Sequence, residues 1–85
     1  MGRRPVETIH RAEYSVLLDL LREARKRADL TQGELSRRSG VPQPRISDIE
    51  AGKRRLDVLE LLDLLKAMNL DPAQFIAAFD TAIRL

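Results

Sequence analysis

Residues 31–55 read TQGELSRRSGVPQPRISDIEAGKRR, and this stretch decides the fold of the chain. Thr31 and Glu34 have the spacing of a capping box, in which a hydroxyl and a carboxylate each accept an otherwise unpaired backbone N–H at a helix N-terminus. Gly40 follows, and glycine tolerates the left-handed backbone conformation that ends many helices. The stretch therefore predicts a short helix that begins after Thr31 and ends in a tight turn at Gly40.

A second short helix is predicted between this turn and Gly52. Val41, Ile46 and Ile49 are apolar at spacings that would pack this helix on the first one. Gly52 ends the helix, and the basic run Lys53-Arg54-Arg55 follows at once. Two short helices joined by a glycine-containing turn, with a basic segment after them, are the signature of a helix-turn-helix motif, here residues 31–52.

Apolar periodicity predicts three more helices around the motif. One runs from Tyr14 to about Arg27. Another runs from Asp57 to about Met68, with Asp57 as its N-cap and Glu60 completing a second capping box. The last begins at Asp71-Pro72, since proline is favoured in the first turn of a helix. The prediction is an all-α domain of five helices at residues 13–85, preceded by a flexible arm at residues 1–12.

The fourth predicted helix is unusually apolar. Its apolar side chains cover more than one face, so we expect this helix to be nearly central in the domain. They are Val58, Leu59, Leu61, Leu62, Leu64, Leu65 and Met68.

The composition restricts the class of protein. Eighty-five residues fit one small domain, and the chain has no cysteine and a single histidine, His10. A disulfide framework, a thiolate zinc site and a cysteine nucleophile are therefore excluded, and we expect a lone histidine near the chain terminus to be solvent-exposed and not catalytic. No apolar run reaches the ~18–20 residues of a membrane span, and no signal-peptide pattern opens the chain. We expect a cytoplasmic protein that is not an enzyme, has no membrane partner, and needs no metal or cofactor.

The net charge of +2 conceals an asymmetry along the chain. Residues 22–55 contain ten Lys/Arg and five Asp/Glu, whereas residues 56–85 contain two and five. A charged surface is ordinary in a soluble protein, but here the basic excess is centred on the motif. This position favours double-stranded DNA as a partner, and the acidic C-terminal third suits a protein contact.

The motif resembles that of the phage Cro/cI repressors and the Xre-type bacterial regulators. The resemblance lies in L-T-Q-x-E-L…S-G-V-x-Q-P-x-I-S-x-I-E-x-G-K-R and extends from about Tyr14 to about Phe79. Two positions depart from the family pattern: Pro42 replaces a small hydroxyl cap, and Ser36 replaces an alanine. The resemblance implies a λ-repressor-like fold and a sequence-specific transcriptional regulator. The alternative is the antitoxin of a toxin–antitoxin pair, which would bind a toxin and its own promoter.

Helical geometry predicts which side chains face DNA. Ile46, Ile49 and Glu50 point towards the core, and the opposite side of this helix is free. Gln43 lies in the first turn, which enters the major groove in this motif, and its amide can bridge adenine N6 and N7. The resemblance places a base-reading residue at the same position. The predicted base-contacting residues are Gln43, Pro44, Arg45, Ser47 and Asp48.

Two of these residues have an alternative role. Arg45 and Ser47 could equally hold phosphates, while Asp48 would repel phosphate and could act only by selecting against wrong sequences. The predicted phosphate contacts are Gln32, Lys53, Arg54 and Arg55, with Arg37 and Arg38 as secondary candidates. Arg3 and Arg4 in the arm could also reach the duplex, the alternative being a frayed tail.

Two further pairings concern stability and assembly. The resemblance implies an ion pair between Arg25 and Glu50, which would join the first helix to the second helix of the motif. The last helix carries more apolar surface than docking requires, so we expect a homodimer that uses Phe75, Phe79 and Ile83. The alternative is that both phenylalanines simply close the core of the monomer.

Overall fold

Five helices form the part of the chain that the computed structural model describes, residues 11–84. They are α1 (Ala12–Arg27), α2 (Gln32–Ser39), α3 (Gln43–Glu50), α4 (Val58–Ala67) and α5 (Pro72–Arg84), and no strand occurs between residues 11 and 84. The predicted all-α class and the number of helices are confirmed. Helix α1 begins two residues before Tyr14. Most of the predicted arm, including Arg3 and Arg4, lies outside the described residues.

Local hydrogen bonds fix the helix ends where the sequence predicts them. In the first capping box, the Glu34 N–H donates to Thr31 Oγ1 at 3.0 Å and the Thr31 N–H donates to Glu34 Oε1 at 2.8 Å. Asp57 and Glu60 make the same reciprocal pair at the start of α4, at 2.7 and 3.2 Å. Gly40 ends α2 with φ of 80°, which confirms the predicted left-handed turn.

Two helices end in a left-handed residue that is not glycine. Asp29 follows α1 with φ of 61°, and Asn69 follows α4 with φ of 59°. In both cases the next leucine N–H reaches back to a helix carbonyl, Leu30 to Arg25 O at 3.2 Å and Leu70 to Leu65 O at 2.9 Å. Aspartate and asparagine tolerate this conformation better than other side chains. The turn after α1 brings Leu30 into the core, where it is buried.

The core lies between all five helices and has two adjoining parts. The larger part is built on α4 and receives side chains from α1, α2 and α3, and Phe75 of α5 packs against it. The smaller part joins Tyr14, Leu18 and Ile49, and Leu56 touches both parts. Packing of α3 against α1 and α2 therefore holds the motif on the rest of the domain.

The prediction that α4 is central is wrong for its first turn. Val58 and Leu59 are 70% and 73% exposed, whereas Leu61, Leu64 and Leu65 are buried. Helix α4 packs mainly against α2 and α5, and this packing leaves Val58 and Leu59 in its first turn uncovered. The capping box places Val58 and Leu59 at the edge of the domain, beyond the reach of those neighbours.

Candidate nucleic-acid interface

Helix α3 has one face in the core and one face in solvent. Ile46 and Ile49 are each 1% exposed and anchor the helix against its neighbours. On the other side, four of the predicted base-contacting side chains are exposed: Gln43, Pro44, Ser47 and Asp48. The structure thus brings these four residues together on one accessible surface. Pro42 is the N-cap of α3 and makes no side-chain cap hydrogen bond.

Gln43 reaches across the first turn of α2. A Cβ placed on Gly33 would lie 3.5 Å from Gln43 Oε1 and 3.7 Å from Arg37 Nη1. Both side chains therefore converge over the bare backbone of Gly33. This convergence joins the exposed start of α3 to the exposed side of α2 in one continuous polar surface.

Arg45, the fifth predicted base-contacting residue, is held by a carboxylate. Its Nη1 pairs with Glu60 Oε2, while Glu60 Oε1 accepts the Asp57 N–H in the capping box of α4. Glu60 is buried, and the side chain of Arg45 is 37% exposed. If Arg45 left Glu60 to contact a base, the buried carboxylate would lose its ionic partner, and this loss would offset part of the gain from the base contact.

Arg25 and Glu50 form a bidentate ion pair between α1 and α3. Arg25 Nε donates to Glu50 Oε2 at 2.7 Å and Nη2 donates to Oε1 at 2.9 Å, with side-chain exposures of only 12% and 9%. Gln32 Nε2 donates to Glu50 Oε1 at 3.0 Å, and Arg22 Nη2 donates to the Glu50 carbonyl at 2.9 Å. One carboxylate thereby ties the C-terminal end of α3 to both α1 and α2.

The protonation state of Glu50 reflects this network. Burial by itself would raise the pKa of the Glu50 carboxyl, but the hydrogen bonds from Arg25 and Gln32 and the positive charges of Arg25 and Arg22 outweigh it. The pKa of Glu50 is therefore lowered below its ordinary value, and the hydrogen bond to Glu50 raises the pKa of Arg25. Gln32, a predicted phosphate contact, already uses one of its two amide hydrogens on Glu50.

The basic side chains divide into two groups according to their partners. Carboxylates of the described residues pair with six arginines: Arg11, Arg22, Arg25, Arg27, Arg45 and Arg84. Within residues 11–84, seven cations have no such partner. Lys26 and Lys66 are two of them, and the other five are Arg37, Arg38, Lys53, Arg54 and Arg55, all of them exposed. The predicted phosphate-contacting arginines and lysine around the motif thus form no ion pair with a carboxylate of the described residues.

Tyr14 is a site residue that sequence reasoning missed. Its buried hydroxyl donates to the Arg54 carbonyl at 2.9 Å and accepts the Leu56 N–H at 2.9 Å. A tyrosine at the head of an apolar stripe was the only signal in the sequence, because a buried phenol needs a hydrogen-bond partner. Its partners lie some forty positions away in the sequence, and nothing local identifies them.

The three predicted dimer residues lie in different surroundings. Phe75 is half-buried against the main core. Phe79 and Ile83 instead line a groove of about 320 Å³ between α5 and the start of α1, together with Tyr14 and Leu17. Ile83 remains 38% exposed. Of the three predicted dimer residues, Phe79 and Ile83 thus line the apolar groove beside α1, whereas Phe75 packs against the core.

Metal and membrane sites are not suggested by the described part of the chain. No cluster of three or more His, Cys, Asp or Glu side chains that could hold a metal ion occurs among residues 11–84. None of the described helices has the length and apolar character needed to cross a membrane.

Known proteins share both the motif and its arrangement. A family model described as "Helix-turn-helix" matches residues 21–75. An XRE-family-like protein from Pseudomonas syringae pv. tomato is 43% identical, with a TM-score of 0.81 over 89% of this chain and 93% of its own. No curated protein sequence matches the chain.

Two restriction-modification controller proteins share the fold at lower identity. C.Esp1396I, solved as a tetramer in complex with its natural 35 base-pair operator, is 21% identical, with a TM-score of 0.81 over 89% of this chain and 100% of its own. C.AhdI from Aeromonas hydrophila is 26% identical, with a TM-score of 0.71 over 76% and 98%. The family match covers more than half of the chain and includes the whole motif, and so the chain belongs to the XRE-type helix-turn-helix DNA-binding regulators.

Proposed function

We propose that this protein regulates transcription as a homodimer that binds a palindromic operator in a sequence-specific manner. The observation that carries the proposal is the charge arrangement around α3. Five exposed cations that form no ion pair with a carboxylate among residues 11–84 flank a helix whose free face carries polar side chains suited to base edges. Phosphate contacts by Lys and Arg supply affinity, and groove contacts supply sequence preference.

Within this interface we assign different roles to the two groups of residues. Gln43 reads a base, with Pro44, Ser47 and Asp48 beside it, because these side chains are exposed on α3. Gln32, Arg37, Arg38 and the run 53–55 contact phosphates. Arg45 keeps its ion pair with Glu60 and contributes by fixing α3 against α4.

The homodimer is proposed from the groove between α1 and α5. A second copy would cover Phe79 and Ile83, which remain accessible in one protomer. Two recognition helices that face the same side of a duplex must read half-sites about one helical turn apart, ~34–36 Å. The solved assembly of C.Esp1396I on its operator is consistent with oligomeric binding of this kind.

Selection of binding sites from random double-stranded DNA tests the proposal. We expect enrichment of one inverted repeat whose half-sites are about one helical turn apart. The matched control is a variant with alanine at positions 53–55, which should retain the fold and lose most binding at moderate salt. Recovery of no sequence preference, with binding that survives this triple substitution, would contradict the proposal.

An antitoxin role is the second candidate. The exposed apolar side chains outside the groove favour a protein partner, since Val58 and Leu59 on α4 and Ile76 on α5 are 70%, 73% and 45% exposed. Co-expression with a short open reading frame next to the gene tests this role. A stable complex that neutralises the toxicity of that product would support it, and the absence of any toxic neighbour would exclude it.

A further inference from the structure

The loop that follows α3 has its backbone fixed at two places. Gly52 has φ of 76°, and the Lys53 N–H donates to the Asp48 carbonyl at 2.8 Å, which ties the start of the loop to α3. Further along, the Tyr14 hydroxyl holds the Arg54 carbonyl and the Leu56 N–H, each at 2.9 Å. One phenol on α1 therefore bonds the backbone on both sides of Arg55.

The phenol is suited to hold this loop permanently. Tyr14 is 5% exposed, and its hydroxyl uses both its donor and an acceptor lone pair on the loop. Burial raises the pKa of Tyr14 above its ordinary value, against the opposing effects of the Leu56 N–H and the charge of Arg55. The hydroxyl thus keeps its proton, and its hydrogen bond to Arg54, throughout the neutral range.

The side chains of the same loop are free while their backbone is fixed. Lys53, Arg54 and Arg55 are exposed, and no carboxylate among residues 11–84 pairs with them. A flexible loop would have to be ordered when it binds phosphate, and this ordering would reduce the affinity. A loop that is already ordered loses less conformational entropy on binding, so its contacts with phosphate give a higher affinity.

We infer that Tyr14 is a positioning residue for DNA binding. It fixes the backbone of Lys53, Arg54 and Arg55, so that their side chains are held where they contact phosphates. This inference rests on the proposed DNA-binding function. It assigns a role in binding to a residue on α1, outside the motif. Because the loop contacts phosphates and not bases, Tyr14 contributes to affinity for every sequence and not to sequence preference.

The variant Tyr14→Phe isolates the hydroxyl. The ring also lines the groove with Leu17, Phe79 and Ile83, and phenylalanine preserves that packing. A readout without DNA comes from amide hydrogen exchange, in which the Leu56 N–H reports on the loop. The Met68 N–H at the far end of α4 reports on the fold. We expect Leu56 to exchange at least about tenfold faster in the variant relative to Met68.

DNA titrations complete the experiment. Tyr14→Phe should weaken binding to the selected operator and to a scrambled duplex by the same factor, about three- to tenfold at low salt. The same substitution is also made in a background with alanine at positions 53–55. There it should have no further effect, because the cations through which it acts are absent.

Three outcomes separate the possible failures. If the wild-type chain binds no duplex, the proposed function fails, and the inference fails with it. If the wild-type chain binds and Tyr14→Phe matches it on both duplexes, only the role of Tyr14 is refuted. An equal loss in the triple-alanine background would also refute it, since Tyr14 would then act through general stability.

Discussion

Removal of Arg25 tests the network that holds α3 in place. In Arg25→Ala, Glu50, whose side chain is 9% exposed in the wild type, loses two of its three side-chain hydrogen bonds and keeps only the one from Gln32. Loss of one partner from a buried pair costs roughly 3–5 kcal/mol, because the remaining charge is stranded. In a domain of this size each kcal/mol lowers the melting temperature by about 4–8 °C. The melting temperature should therefore fall by at least about 12 °C, as measured by circular dichroism.

An exposed ion pair on the same helix provides the matched control. Arg27 and Glu23 are 3.7 Å apart, with side-chain exposures of 83% and 62%. Arg27→Ala should change the free energy of unfolding by at most about 0.5 kcal/mol, because water already solvates both charges. If Arg25→Ala melts within a degree or two of wild type, as Arg27→Ala should, the buried pair does not hold the motif and the reasoning is refuted.

A double substitution separates the charge from the packing. Replacing both members, as in Arg25→Met with Glu50→Leu, removes the stranded charge and should recover most of the lost stability. Failure of this recovery would assign the stabilisation to the other hydrogen bonds that the double variant lacks, from Arg25 to the Leu30 carbonyl at 2.9 Å and from Gln32 to Glu50 at 3.0 Å.

Three further predictions concern binding, assembly and pH. Gln43→Ala should weaken operator binding by ~1–3 kcal/mol and should change binding to scrambled DNA little. Arg54→Ala should weaken binding to both duplexes. It should also reduce the slope of log affinity against log salt concentration by about one unit for each phosphate that a subunit no longer neutralises. If Gln43→Ala weakened binding to both duplexes equally, Gln43 would contact a phosphate and not a base. Phe79→Glu should convert a dimer to a monomer in light scattering, and a wild-type monomer at tens of micromolar (about 50 µM) would refute the dimer. Folding lowers the pKa of Glu50. The ionised Glu50 carboxylate therefore contributes fully to stability at pH values above its ordinary pKa of 4.5, and this contribution is lost as the pH falls from there through the lowered pKa of the folded state. Glu50→Gln should therefore be less sensitive to acid in this range than wild type, and an unchanged acid transition would argue against the pair.

The ion pair with Glu60 restrains Arg45 and makes it a weaker candidate for a base contact than its position on α3 suggests. From α3 alone, Arg45 is an arginine on the flank of an exposed face and suits guanine or phosphate equally well. Its pairing with Glu60 depends on the approach of the first turn of α4 to α3. Glu60 is predictable as a capping-box residue, because its Oε1 accepts the N–H of Asp57 three positions away. The partner of its Oε2, Arg45, is decided by how α3 and α4 pack. Specific binding is consequently proposed to depend mainly on Gln43 and its exposed neighbours.

Local chemistry makes the helices and the motif predictable from the sequence. Thr31 with Glu34, and Asp57 with Glu60, interact over three residues, so the sequence contains both members of each cap and the ends of α2 and α4 follow from it. Gly40 defines the turn of the motif for the same reason, since its backbone preference is intrinsic. The all-α class and the basic surface around residues 31–55 follow from periodicity and charge alone.

Apart from the Arg25–Glu50 pair, which the family resemblance implied, the contacts between distant residues were decided by the tertiary structure. Tyr14 reaches Arg54 across forty positions, Arg45 finds Glu60 across fifteen, and Val58 and Leu59 are left exposed although their composition predicts burial. Each outcome depends on the angle at which helices pack and on where a neighbouring helix stops. Periodicity identifies which face of a helix is apolar, but the amount of that face that is covered depends on the partners, which lie elsewhere in the chain.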